Sequence, residues 1–309
     1  MSLPDRYQEP NQNSRRAQIR TLIQRCEEIP TAPDVVATVT ALTEDINCSL
    51  ASLETAIKAD PACVARLLQM ANAAFYGSGA PRMVMSVRRA ILMFGFNAVK
   101  NITLSLTVFD CFRTNNTAEI ASVNTMRRHS LAVAALSQYI AQTSPRDIDA
   151  ELAFCAGLLH DFGRVILLHF FPQEYHEILT QLEHEPEADI SKIEFDRFGV
   201  THAVAGQWLG ELWHFPPPIL QVIATHHSTH VANPLVATVM LANTLAHMRS
   251  VGCGGMMRSS SVDALLRILG LPPKDVTQYT QYLDTVLPNL TELVTHGVHP
   301  SLPSVQYSK

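Results

Sequence analysis

The sequence predicts an all-α fold: a multi-helix domain without a β-sheet. Three observations support this prediction. Apolar residues recur at spacings of three and four along most of the chain, which is the period of an amphipathic helix. Gly or Pro separates most of these segments, and no run alternates apolar and polar residues as a half-buried strand would. The short connections favour antiparallel neighbouring helices.

The first helices have clear start and stop signals. An apolar stripe extends from Thr31 to Asp45, and Ser49 is a typical N-cap for the segment that ends before Pro61. Pro61 itself fits the first turn of the next helix, and we expect Gly77 to end that helix.

Two further apolar segments follow, and the first of them ends at Gly95. The polar stretch "RTNNTAEIASVNT" after them is expected to interrupt the helices. The second half then contains seven helical segments: "MRRHSLAVAALSQYIAQ", "DAELAFCAGLLHDFGRVILLHFF", "PQEYHEILTQLEHE", "DISKIEFDRFG", "VTHAVAGQWLGELWHF", "PPPILQVIATHHS" and "PLVATVMLANTLAHM". A flexible linker, "GCGGMMRSSS", precedes the last helices and a polar end.

Composition narrows the range of functions. The chain has 309 residues with 47% apolar content, which is enough for a large packed core. Its net charge of −5 gives no electrostatic basis for generic nucleic-acid binding. The six cysteines are scattered without a CxxC pair, so we expect reduced thiols. The polar N-terminus lacks a signal sequence, and no run reaches the ~18 uncharged apolar residues of a spanning helix. We therefore expect a cytoplasmic protein with no membrane association.

Histidine placement provides the main functional signal. Four of the 13 histidines lie on the apolar faces of separate helical segments: His129, His160, His202 and His226. A single histidine of this kind is more often a core residue bonded to a backbone carbonyl. Several such rings together with Asp161 and His227 favour a shared divalent transition metal, with iron, manganese or zinc as candidates. Both interpretations remain open at this point.

A family resemblance supports the metal interpretation. The order His129, His160-Asp161, His202, His226-His227 resembles the ligand order of the HD superfamily of metal-dependent phosphohydrolases. The similarity is closer to one branch, the HDOD (HD-related output) domain, and spans roughly residues 22–248. The most specific similar block is "LASLETAIKADPACVARLLQMANAAFYG", and "GLLHDFGRVIL" and "FGVTHAVAGQWLGELWHFPPPILQVIATHH" resemble the HD half of that family.

The resemblance implies a domain plan and a role. It implies an HDOD domain over residues 18–248, with an N-terminal helical lobe at 18–115 and an HD-like lobe at 120–248. We expect residues 1–17 to be disordered and residues 249–309 to form a linker and C-terminal helices. The implied role is a bacterial signal-transduction output or adaptor module that works through contacts with other signalling proteins.

The sequence departs from a catalytic HD site in two places. Asn243 stands where the resemblance would place a further metal-binding Asp, and "HHSTHVANP" lacks the GYP motif of cyclic di-GMP phosphodiesterases. Arg164 occupies the place of a basic residue near substrate phosphate in related hydrolases, although a solvated helix end is the favoured interpretation. No catalytic residue is assigned. The alternative hypothesis is a metal-dependent phosphohydrolase acting on a nucleotide or another phosphate ester.

The remaining polar and aromatic candidates are expected to have structural roles. Arg88, Arg89 and Lys100 are expected to be solvated. We expect Asn72, Phe75 and Tyr76 to serve in core packing or in an interdomain hinge. Trp208 and Trp213 are expected to be buried beside the histidines. His230 and His247 are expected to be outer-shell neighbours of the candidate ligands.

Overall fold

The computed structural model describes residues 12–25, 33–45, 47–73, 83–96, 99, 117–252 and 261–296. Every regular element within these ranges is a helix, which confirms the predicted all-α fold.

The N-terminal part contains five described helices. Their bounds are α1 Gln12–Gln24, α2 Pro33–Glu44, α3 Leu50–Lys58, α4 Pro61–Ala73 and α5 Val87–Phe94. Ser49 caps α3 as predicted, because its side chain accepts a hydrogen bond from the Ser52 amide. Gly95 ends α5 with a positive φ of 79°, a conformation that glycine adopts without strain. The expected stop at Gly77 lies outside the described residues.

The second part contains ten described helices. Their bounds are α6 Thr117–Thr143, α7 Ala150–Leu159, α8 Phe162–Phe170, α9 Pro172–His184, α10 Ile190–Phe198, α11 His202–Leu212, α12 Pro217–Thr225, α13 Pro234–Met248, α14 Val262–Leu269 and α15 Asp275–His296. The long helix α6 lies at the centre and packs against α7, α9, α13 and α15. Helices α8 and α11 cross next to α12, so the histidine-bearing segments are neighbours in space.

Two local predictions differ from the structure. The segment "DAELAFCAGLLHDFGRVILLHFF" is not one helix, because the chain turns at His160-Asp161 between α7 and α8. The polar stretch "RTNNTAEIASVNT" was expected to interrupt the helices, but its residues from Thr117 onward form the start of α6. Burial of Met126 and partial burial of Val123 on one face of α6 explain why this polar segment is helical.

Helix α1 packs on helices of the second part of the chain. It contacts α10 and α11, and its residues Ile19 and Ile23 are buried. Arg15 forms an ion pair with Glu174, and its guanidinium lies 4.3 Å from the ring centre of Phe171. Residues 12–17, which were expected to be disordered, form the first turns of this helix.

Polar side chains connect the N-terminal helices to α6 and α7 near His129. The buried Arg127, two residues before His129, donates a hydrogen bond of 2.7 Å to the Ala59 carbonyl at the α3–α4 junction. Lys58 at the end of α3 lies 2.8 Å from Glu54 and 2.6 Å from Glu151 on α7. The N-terminal helices therefore contact α6 and α7, both of which lead to the histidine cluster.

The stretch Ala150–Phe170 is long and apolar enough to cross a membrane by composition, but 83% of its apolar window is buried inside the protein. This stretch comprises α7 and α8, with Asp161 and Arg164 between apolar residues. Such burial among other helices is typical of a core element.

Candidate metal centre

Four histidine rings surround the carboxylate of Asp161. The distances from its oxygens to the histidine Nε2 atoms are 3.3 Å for His226, 3.4 Å for His202, 3.6 Å for His160 and 3.8 Å for His129. The His227 Nε2 atom lies 2.8 Å from that of His202. The structure thus brings together all six residues that the sequence singled out, and their role as metal ligands stays a prediction.

The Nδ1 atoms fix the orientation of these rings. His129, His160 and His226 each hold Nδ1 against a backbone carbonyl, at 2.7 Å from Val251, 2.7 Å from Gly157 and 2.9 Å from Ile223 respectively. His202 holds Nδ1 at 2.6 Å from Glu194. Since a carbonyl or carboxylate oxygen only accepts, Nδ1 is the donor in each case and Nε2 of a neutral ring carries a lone pair. All four lone pairs therefore point toward Asp161.

Several buried polar atoms in this cluster have no hydrogen-bond partner. Among the residues that the structure describes, this holds for Asp161 Oδ1 and for the Nε2 atoms of His129 and His160. The Nε2 atoms of His202 and His226 lie 3.2 Å apart, which is unfavourable for two lone pairs unless a proton or a metal lies between them. Burying such acceptors without a partner is costly, so the cluster is incomplete as a set of neutral rings.

The spacing of the ligand atoms fits a metal ion. Two ligands on one tetrahedral ion with bonds of ~2.0 Å are about 3.3 Å apart. The separations among Asp161, His202 and His226 are 3.2–3.4 Å. The ligand atoms form two groups, each within 4.8 Å, that share Asp161: Asp161, His202, His226 and His227 in one, and His129, His160 and Asp161 in the other. Imidazole and carboxylate donors suit zinc, iron, manganese or cobalt.

A close helix crossing brings His202 to Asp161. A β-carbon at Gly163 on α8 would overlap the carbonyl oxygen of His202, and a β-carbon at Gly206 would lie 3.1 Å from the Gly163 nitrogen. Glycine at both positions therefore allows the backbones of α8 and α11 to touch. This contact lies two residues from Asp161 and at the first residue of α11.

A turn after α13 holds the ring of His129. The Val251 carbonyl accepts from its Nδ1 atom, and a β-carbon at Gly252 would lie 3.0 Å from that atom. The His247 ring lies 4.9 Å from the His129 ring, between centroids. His247 is therefore a neighbour of a candidate ligand, as expected, whereas His230 is exposed.

Burial and nearby charges set the protonation of the cluster. Burial lowers the pKa of both His129 and His160 to about 4. Burial alone would raise the pKa of Asp161, but His160, Arg164 and His226 hold it well below its usual value. Burial likewise opposes protonation of His202, yet Glu194 raises its pKa above the usual value. The cluster thus contains an ionised carboxylate facing mostly neutral rings.

A family-wide sequence model, the HDOD domain, matches residues 29–229, which is more than half of the chain. The chain belongs to the HDOD domain family. The matched range contains all six candidate ligands, but not α13 or the C-terminal helices.

Two solved structures and one curated protein are similar to this chain. The structure of the MmoQ response regulator from Methylococcus capsulatus str. Bath is 28% identical, with a TM-score of 0.63 over 82% of this chain and 98% of that chain. A virulence factor from Campylobacter jejuni is 20% identical, with a TM-score of 0.61 over 92% of this chain and 99% of that one, which supports the fold alone. An uncharacterized protein of Treponema pallidum (strain Nichols) is 23% identical over 72% of this chain but only 43% of its own length.

The environment of Arg164 in the structure differs from the one expected from the sequence. Its side chain is buried rather than solvated, so that expectation was wrong. Its Nη1 atom donates to Asp161 at 3.2 Å and its Nε atom to the Tyr175 hydroxyl at 3.2 Å. Asn243 is buried in α13, one turn before His247 on the same face.

Other singled-out residues have structural roles where they are described. Asn72 is buried and bonds both backbone atoms of Val84, so it supports packing of the N-terminal helices. Trp213 is buried beside Phe162, and Trp208 is half-buried under the guanidinium of Arg16. A separate group lies outside the described residues: Phe75, Tyr76 and Lys100. Arg88 is paired with Glu54 and Arg89 is exposed.

Sequence reasoning missed two residues next to the cluster. Glu194 is completely buried and binds His202 through both the ring and the backbone amide. Tyr175 is also buried and donates to Glu194 at 2.7 Å. A fully buried carboxylate is rare without a partner. The signal that could have found Glu194 is helical spacing, because Ile190 and Phe198 lie one turn before and after it on the buried face of α10.

Proposed function

We propose that this protein is a cytoplasmic bacterial signal-transduction output or adaptor module. It acts through contacts with other signalling proteins, and its HD-type pocket holds a divalent transition metal. The family membership and the 28% identity to a response regulator support the signalling role. Its input signal arrives through association with those proteins.

The environment of Arg164 is the observation that carries the adaptor interpretation. A phosphohydrolase of this type needs a basic side chain directed at substrate phosphate. The guanidinium of Arg164 is instead buried and donates hydrogen bonds to Asp161 and Tyr175, so it stabilises the histidine cluster. With the neutral Asn243 in place of a further carboxylate, the pocket has fewer charged groups for catalysis than a hydrolase needs.

The donor set supports the metal. Two groups of side chains sharing Asp161 would hold it, and their inward lone pairs and unpartnered Asp161 oxygen fit a cation. When bound, a metal of this kind acts as a Lewis acid and lowers the pKa of a coordinated water to ~7. In an adaptor its contribution is structural, because metal binding by ligands from several helices adds directly to folding stability.

The alternative function is a metal-dependent phosphohydrolase acting on a nucleotide or another phosphate ester. The same inward-facing lone pairs favour it, since they are the ligands that a catalytic metal would use. Under this alternative, Asp161 is essential for turnover rather than only for metal content.

Elemental analysis combined with a phosphate-release assay tests the proposal. The full chain, purified without chelator or affinity nickel, is compared with Asp161→Ala and with Asp196→Ala, an exposed control on α10. We expect near-stoichiometric metal in the wild type and in Asp196→Ala, loss of metal in Asp161→Ala, and no phosphate released from nucleotides by any of them. Phosphate release that depends on Asp161 would establish the hydrolase instead. A metal-free wild type would overturn the metal site.

A further inference from the structure

A hydrogen-bond network links Asp161 to His202 through Arg164, Tyr175 and Glu194. Arg164 donates to Asp161 Oδ2 and to the Tyr175 hydroxyl, each at 3.2 Å. The Tyr175 hydroxyl donates to Glu194 Oε1 at 2.7 Å. Glu194 Oε2 accepts from His202 Nδ1 at 2.6 Å, and His202 Nε2 lies 3.4 Å from Asp161 Oδ1. Five side chains from α8 to α11 and the α7–α8 turn thus connect end to end.

The position of Glu194 at the start of α11 adds a second constraint. Its Oε2 atom also accepts from the backbone amide of His202, at 2.7 Å. That amide is one of the donors that a helix N-terminus leaves without an intrahelical partner. A carboxylate there also interacts favourably with the helix dipole. One oxygen therefore fixes both the first residue of α11 and the ring of the same residue.

The network contains two carboxylates, Asp161 and Glu194, and one guanidinium, Arg164, all of them buried. A surplus negative charge in the interior is costly unless it is compensated. A proton or a metal ion at the Nε2 atom of His202 would supply the compensating charge, because this atom lies 3.4 Å from Asp161 Oδ1 and 2.8 Å from His227 Nε2.

We propose that Glu194 is a positioning residue of the metal centre. It holds His202 with the proton on Nδ1 and the Nε2 lone pair directed at a divalent transition metal. Tyr175 links Glu194 to Arg164 and Asp161. The inference rests on the proposed metal site and adds a residue outside the six candidate ligands. Buried carboxylates bonded to metal-binding histidines increase the basicity of the ring, and their loss typically weakens metal binding by about 10–100-fold.

Zinc binding to the full chain tests this inference. Glu194→Gln keeps the size of the side chain and removes its charge, while Tyr175→Phe removes one hydroxyl and leaves the Glu194–His202 contact. Glu177→Gln is the matched control, because Glu177 is an exposed carboxylate on α9 that pairs with Arg197. Dissociation constants for Zn²⁺ are measured by chelator competition, and folding is checked by circular dichroism.

We expect a dissociation constant about 10–100-fold higher for Glu194→Gln, a smaller increase for Tyr175→Phe and no change for Glu177→Gln. In the zinc-loaded wild type, proton NMR should show the Nδ1 proton of His202 far downfield, as a hydrogen bond to a carboxylate requires. This resonance should move upfield in Glu194→Gln, a change that a merely structural role would not produce.

Three results would overturn the inference. One is a folded Glu194→Gln protein with wild-type zinc affinity and an unmoved Nδ1 resonance. If that variant does not fold, unchanged zinc affinity of Tyr175→Phe would contradict a role of the hydrogen-bond network in the same way. If the wild type itself binds no Zn²⁺, the proposed metal site fails as well, and this outcome is distinct from zinc binding that is indifferent to Glu194.

Discussion

Gly163 lies directly against the carbonyl oxygen of His202, so closely that a β-carbon at residue 163 would overlap that oxygen. The contact joins the helix that follows Asp161 to the first residue of α11. It sets the distance between the Asp161 carboxylate and the His202 ring, and it leaves no room for a side chain at residue 163.

Gly163→Ala should therefore separate the two helices. We expect a loss of about 1–3 kcal/mol in the free energy of unfolding, as for other overpacked interiors, together with loss of bound metal. Urea unfolding measures the first effect and elemental analysis the second.

Gly95→Ala is a suitable control for this variant. Gly95 has a φ of 79° and nothing lies within 4 Å of an added β-carbon, so alanine there introduces backbone strain far from the cluster. We expect about 1–3 kcal/mol of destabilisation with metal content unchanged. Equal metal retention in both variants would show that the crossing at Gly163 does not set the site geometry.

The turn at Val251-Gly252 should control His129 in a similar way. Gly252 has a φ of 141°, and a β-carbon there would lie 3.0 Å from the His129 Nδ1 atom. Gly252→Ala should cost about 1–3 kcal/mol through strain and displace the ring from the Val251 carbonyl. We expect lower thermal stability and weaker zinc binding, measured by calorimetry and chelator competition.

Ser250→Gly provides a control within the same turn. Ser250 has a φ of 55°, which glycine adopts with less strain, so this change should keep stability or raise it slightly. It leaves the His129 contacts in place and should not alter zinc binding. Weaker zinc binding in Ser250→Gly as well would mean that flexibility of the turn, rather than the fit of Gly252, governs the ring.

The two ligand groups make a prediction about metal content. Asp161 belongs to both groups, whereas His227 belongs only to the group with His202 and His226. Asp161→Ala should remove all bound metal, while His227→Ala should retain whatever the group of His129, His160 and Asp161 binds. Elemental analysis of both variants, with the exposed His230→Ala as control, measures this. Complete metal loss in His227→Ala would indicate one shared ion instead of two separable groups.

The clustered histidines could be predicted because each lies on an apolar face. His129 precedes Val133, Leu136 and Ile140 at helical spacings, so its burial follows from local periodicity alone. The same reasoning identified the partners Asp161 and His227 by adjacency. The structure brings these residues into one cluster, which periodicity along the chain could only suggest.

Features that depend on tertiary packing were not predictable in this way. The partners of Glu194 in α10 are Tyr175 and His202, which lie on other helices and meet it only through tertiary packing. The turn at His160-Asp161 interrupts an apolar run without a proline, so local propensity favours a continuous helix there. Arg164 was expected to be solvated at a helix end. Its hydrogen bonds to Asp161 and Tyr175 instead accompany a buried side chain.

The metal-free protein should lose stability in mild acid. In the unfolded chain each imidazole takes up a proton near its usual pKa of about 6.5, but burial keeps His129 and His160 neutral in the native state down to about 4. Between these values the unfolded chain binds more protons, so stability rises with pH by up to about 1.4 kcal/mol per pH unit for each ring. This contribution is complete above the unfolded pKa and is lost as pH falls through that window.

Neighbouring groups set the net slope. His247 faces His129 and burial lowers its pKa to about 3, so it acts in the same direction. His202 acts oppositely, because Glu194 raises its pKa, and Asp161 stays ionised throughout the window. Urea unfolding in the presence of a chelator, at pH values from about 7 to 5, should therefore show a falling midpoint. His129→Asn should flatten the slope and the exposed His230→Asn should not; a midpoint independent of pH in the wild type would contradict burial of neutral rings.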